Sequence, residues 1–105
     1  MVVDSAARTG ALRLSVSFEA AGFIHDHGGR LFIWTERQVC CRGRTMRRAY
    51  AAVTPQEGRS FLAVPSTDGI EWFLAAGLRP PEVNVAMSRF GKRHPVAYWP
   101  GCLRG

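Results

Sequence analysis

Two histidines flank an aspartate at His25-Asp26-His27, two cysteines stand side by side at Cys40-Cys41, and a third lies near the C-terminus at Cys102. Imidazole and thiolate are the side chains that bind zinc or hold an iron–sulfur cluster. On an extended strand, residues two apart face the same side, so His25 and His27 would point their rings at one ion. Glu36, on the following strand, could add an oxygen ligand. Consecutive cysteines on a strand send their sulfurs to opposite faces, so Cys40 and Cys41 are expected to be chemically unequal. Cys41, beside Arg42 and the Gly43 turn, is the expected reactive thiol, because a nearby guanidinium stabilises thiolate. It would join Cys102 in a zinc or iron–sulfur site, with Cys40, His25 and His27 as the remaining candidate ligands.

The histidine spacing resembles that of the cupin histidine pair, without that family's glutamate spacing or its later histidine. The separation of Cys40-Cys41 from Cys102 resembles that in A-type iron–sulfur carriers, but those end in Cys-x-Cys where this chain reads Gly101-Cys102-Leu103. Neither resemblance covers a motif, and no residue role follows from either. No Cys-x-x-Cys knuckle is present, nor any phosphate-binding glycine loop, nucleophile elbow or HExxH helix. A cysteine nucleophile would need a positioned histidine base, for which only His25 and His27 are near in the chain. The sequence therefore reads as a small non-catalytic domain.

A second chemistry is electrostatic. The chain carries 14 basic residues against 8 acidic ones, and Lys92 alone among the basic ones is a lysine. Five arginines and no acid fall within RQVCCRGRTMRR, residues 37 to 48. Arg42, Arg44, Arg47 and Arg48 are candidate phosphate contacts there. Arg89, Lys92 and Arg93 form a second basic group in a turn near the C-terminus. If both groups reach one face, with Tyr50, Phe90, Tyr98 and Trp99 as stacking platforms, the domain would bind RNA or DNA. A protein partner docking on exposed Trp72 or Trp99 is a further expectation.

These residues need a scaffold, and 105 residues with 47% hydrophobic content make one domain with one core. The first ten residues lack the apolar stretch of a secretory signal and are expected to be a flexible arm, with residues 11–105 as a single β-domain. No uncharged apolar run is long enough to span a membrane. An odd number of cysteines fits a reduced compartment, so the chain is expected in the cytoplasm.

Residues 12–19 alternate Leu12, Leu14, Val16 and Phe18 with polar neighbours, the pattern of a half-buried strand. GFIH and RLFIWTER then read as a hairpin around His27-Gly28-Gly29. The second of these strands is apolar on both faces and is expected to be covered on both. TMRRAYAAV, FLAV, VNVAM and VAYW follow as further strands. The segment 69–77 reads either as a strand with Ile70, Trp72 and Leu74 inward, which is preferred, or as a short helix. The whole predicts a mainly β fold, a small antiparallel barrel or sandwich of about seven or eight short strands.

Overall fold

The computed structural model describes residues 12–39, 43–66 and 69–104. Among them the chain forms β1 (Arg13–Val16), α1 (Phe18–Asp26), β2 (Arg30–Val39), β3 (Thr45–Ala52), β4 (Phe61–Val64), β5 (Glu71–Ala75), β6 (Glu82–Met87), β7 (Pro95–Tyr98) and the two-residue β8 (Leu103–Arg104). The strands make a three-stranded sheet, β1-β6-β7, and a five-stranded sheet, β4-β5-β2-β3-β8. The mainly β expectation holds. Closure into a barrel and a purely antiparallel arrangement do not. Only β2/β3, β4/β5 and β6/β7 pair antiparallel, whereas β1 joins β6, β5 joins β2 and β8 joins β3 in parallel. Turn signals reveal hairpins, and the sheets are mixed by the parallel joins between them, hairpin to hairpin at β2/β5 and single strand to hairpin at β1/β6 and β3/β8. No helix among the described residues is long and apolar enough to cross a membrane.

The first correction lies at the histidines. Ser17 ends β1 and caps α1, its hydroxyl accepting the Ala20 N–H at 3.1 Å. Glu19 stands in the first turn, where it favours the positive end of the helix dipole. Ala20 and Ile24, one helical turn apart, are fully buried in the main core. The expected strand 12–19 thus stops at Val16, and Phe18 is 98% exposed at the head of the helix. GFIH is the end of α1 and forms no hairpin with β2. Gly28 and Gly29, at φ of 110° and 76°, close the helix, with the Gly29 N–H donating to the Ile24 carbonyl at 2.8 Å. Positive φ is needed at a helix C-terminus as at a hairpin turn, so the glycine pair fits both readings.

Segment 69–77 contains strand β5, and the alternative of a helix there is overturned. Ile70, Trp72 and Leu74 are buried, as the strand reading expects. They face Val83, Val85 and Met87 of β6, with Ala97 and Trp99, across a core that Leu31, Ile33 and Ala49 complete. Trp72 and Trp99 are therefore core residues, 1% and 7% exposed, and offer no docking surface.

The five-stranded sheet also carries rings on its other face. Phe32 stacks on Phe73 with centroids 4.8 Å apart, meets Phe61 edge-on at 5.2 Å, and Trp34 stacks on Tyr50 at 5.8 Å. What covers them follows from topology. The connection from β3 to β4 must pass β2 and β5, so it crosses one face of the sheet. Gln56 and Arg59 from this connection reach the Glu36 carboxylate, at 3.2 and 4.0 Å, and Glu36 shares a face with Trp34. The connection thus runs over the aromatic face and forms a second, smaller core. Burial of Leu31 through Thr35 on both sides of β2 matches the expectation.

Candidate functional site

The helix separates the two imidazoles. Residues two apart on an α-helix lie roughly 200° apart around its axis, so His25 and His27 do not share a side as they would on a strand. His27 is the C-cap residue, its ring stacked on Phe23 at 4.1 Å and its Nδ1 at 2.8 Å from the Phe23 carbonyl. His25 lies beside Gly69, its Cε1 3.6 Å from where a Cβ on that glycine would sit. Both histidines belong to the end of the sheet where β2 begins. Cys102 belongs to the other end, because Leu103 pairs with Arg48 and Arg48 pairs with Glu36. Six residues of strand, roughly 20 Å at a rise of ~3.3 Å each, separate the two levels. The Glu36 carboxylate is occupied by the Trp34 indole N–H at 3.3 Å and by Gln56 and Arg59. No group of three His, Cys, Asp or Glu side chains able to hold a metal occurs among the described residues. Cys40, Cys41 and Arg42 lie outside the described residues.

Cys102 is half-buried against the core. Burial pushes its thiol above the ordinary value, and the Arg47 guanidinium pulls it partly back.

The arginines of β2 and β3 present the more distinctive geometry. β2 and β3 pair continuously from Phe32↔Ala52 to Val39↔Thr45. β5 stops at Ala75, after its pairing reaches Ile33↔Leu74, and β8 reaches only Arg48 and Ala49. Beyond those levels the two strands continue as a ribbon with no further strand on either side among the described residues. Arg37 stands directly opposite Arg47 on it. The Glu71 N–H donates to the Gly29 carbonyl, so odd-numbered residues of β2 turn their backbone groups toward β5 and away from β3. Arg37 and Arg47 are hence a non-hydrogen-bonded pair, the kind in which opposed side chains come closest. Arg47 donates to the Thr35 hydroxyl at 3.2 Å, and Arg37 has no hydrogen-bond or ion-pair partner among the described residues. Arg48 donates to the Gln38 side chain at 2.8 Å on the opposite face of the ribbon. Val39 is 77% exposed and Arg44 is exposed near the ribbon's far end.

The second basic group sits elsewhere. Arg89, Lys92 and Arg93 lie in the β6–β7 turn of the three-stranded sheet, and Arg93 is neutralised by Glu19 of α1 at 2.7 Å. Of the expected stacking rings, Trp99 is in the core, Tyr50 is held against Trp34 and Tyr98 is half-buried. Phe90 alone stands clear, 86% exposed, in a turn held by hydrogen bonds to the Ser88 hydroxyl.

Where β5 ends and β2 runs on, the sheet has a notch. Thr35, Glu36, Arg37, Arg47, Arg59 and the turn Ala75–Leu78 line a cleft of about 510 Å³ there. Thr35 and Arg59 carry no signal in the sequence pattern. The pairing of Arg37 with Arg47 carries none either, since a turn centred on Arg42-Gly43 would set Arg37 against Arg48, one residue off the observed register. Protein-family models, curated proteins and solved structures compared with the chain give no match.

Proposed function

We propose that the domain binds nucleic acid through the β2–β3 ribbon, with its arginines on phosphates. The observation that carries this reading is the like-charged pair Arg37 and Arg47, opposed with no acidic partner among the described residues. Like charges directly opposed on a sheet destabilise it, and a polyanion relieves that repulsion. The ribbon is two strands wide, and a groove of about 12 Å, as in duplex DNA, admits such an element. Arg44 extends the charge along it, Arg48 adds to it on the other face opposite Glu36, and residues 37–48 contain no acid.

The test is binding of a labelled duplex and a labelled single strand, followed by fluorescence anisotropy over a salt series. Affinity falls steeply with salt, because each phosphate neutralised by the protein releases counterions. Replacing Arg47 and Arg48 together lowers the affinity and flattens the slope by roughly 0.9 for each duplex phosphate that is no longer neutralised, with the circular dichroism spectrum unchanged. An affinity that stays constant from low to physiological salt overturns the reading.

The thiol reading has its own support, since Cys102 stands at the level of the ribbon root and at the far end of the sheet from His25 and His27. A zinc or iron–sulfur site would then draw on Cys102 with Cys40 and Cys41, which lie outside the described residues, and without imidazole. Metal content and a thiol count on anaerobically purified protein test it. Metal-free protein in which zinc fails to protect Cys102 from alkylation removes it.

A further inference from the structure

We infer that the notch beside β2 is a seat for a phosphate group that carries no second ester, either the terminal monoester of a nucleic acid or free inorganic phosphate. The choice of phosphate over carboxylate rests on the nucleic-acid reading of the ribbon. The geometry of the seat stands apart from that reading.

The notch exists because two neighbouring strands differ in length. β5 ends at Ala75, and the chain turns away through Ala76 and Gly77, whose φ is 87°. The turn is fixed by the Ala76 N–H on the Ser60 carbonyl at 2.9 Å and the Leu78 N–H on the Ala75 carbonyl at 3.0 Å. β2 continues to Val39, and the alternation set at Gly29 aims the Arg37 backbone into the gap. The resulting cleft, about 510 Å³, falls in the range of small-molecule sites, roughly 300–1,000 Å³.

Its walls have one sign of charge to spare. Arg37, Arg47 and Arg59 line it against the single carboxylate of Glu36. That carboxylate is already engaged by Trp34, Gln56 and Arg59. Arg37 and Arg47 are thereby left to face the cleft, and planar guanidinium groups match phosphate oxygens two at a time. Thr35 supplies the neutral donor. Its hydroxyl oxygen accepts from Arg47, which leaves the hydroxyl proton to donate to a ligand oxygen. Thr35 is the buried polar residue of an otherwise apolar run in β2, and the cleft gives its hydroxyl a use.

The test uses the full chain. In one arm, sodium phosphate is titrated at constant ionic strength while the Thr35 and Arg37 amide resonances are followed by NMR. In the other, a 5′-phosphorylated oligonucleotide is compared with its 5′-hydroxyl counterpart. The expected result is saturable movement of both resonances and a preference of about tenfold for the phosphorylated end, the scale of a hydrogen bond to a charged group. Thr35→Val abolishes the preference and Thr35→Ser restores it. Saturable phosphate binding without an end preference supports the seat and assigns it to the free anion. Phosphate binding in a protein that shows no salt-dependent nucleic-acid binding supports the seat and fails the ribbon. Unmoved resonances together with equal affinity for the two oligonucleotides overturn the seat, whatever the ribbon does.

Discussion

Arg37 and Arg47 occupy facing positions on β2 and β3, and among the described residues they lie past the level at which either strand pairs with a third, and only Arg47 has a hydrogen-bond partner. A fold gains nothing from this pair. Replacing Arg37 with glutamate converts a repulsive cross-strand pair into an attractive one, a change on the scale of roughly 0.2–1 kcal/mol. Arg37→Glu is therefore expected to raise the melting temperature and weaken nucleic-acid binding in the same protein. Calorimetry and anisotropy on one preparation check this. A variant that loses stability gives the arginine pair a structural role and leaves the ribbon without its main support.

The aromatic residues predict the opposite division. Trp34 stacks on Tyr50 beneath the connection that crosses the sheet, and its indole N–H is tied to Glu36. Trp34→Ala removes a large buried side chain and is expected to cost about 3–5 kcal/mol. The affinity of the folded fraction for nucleic acid stays unchanged. A loss of affinity with the fold intact would return these rings to a stacking role.

The patterns visible in the sequence were those set by local alternation. Residues 71–75 and 82–87 bury every second side chain, and residues 31–35 are buried on both faces, each for the reason its pattern implies. What escaped was context. The alternation of residues 12–18 runs on past the true strand end, because Phe18 happens to fall on the beat while Ser17 caps a helix. The signals for that helix were present in Ser17, Glu19, the Ala20 and Ile24 spacing and the glycine pair. A hairpin uses the same glycines, so they did not discriminate. Parallel joining of β5 to β2 leaves no mark in either strand, which is why the notch and its lining by Thr35 and Arg59 could not be read from one dimension.

The Ser17 cap is itself open to test. Its hydroxyl accepts the Ala20 N–H, and the helix behind it delivers Ala20 and Ile24 to the core. Ser17→Ala is expected to destabilise the domain by about 0.5–2 kcal/mol, and Ser17→Asp to retain most of the stability because its carboxylate also accepts that bond. Urea unfolding of the pair measures the difference. Equal loss in both variants would mean that the cap contributes through something other than its acceptor.

Cys102 connects the ribbon to a pH dependence. Its thiol is raised from an ordinary value of 9.0 by burial, with Arg47 opposing the rise. The folded state therefore prefers the neutral thiol more than the unfolded chain does. By linkage, the corresponding stabilisation is fully present below about pH 9. It is lost as pH rises through the higher folded value, since the unfolded chain releases its proton first. Alkylation reads the same equilibrium directly, because the thiolate is the reacting species. The pH–rate midpoint for Cys102 in native protein is expected above that of the denatured chain, and Arg47→Ala moves it higher still by removing the guanidinium that favours thiolate. Restricted access would lower the plateau rate and leave the midpoint in place, so the two causes separate in one experiment. A native midpoint below the denatured one would mean that the arginine field outweighs burial, and would make Cys102 the activated thiol of the ribbon end.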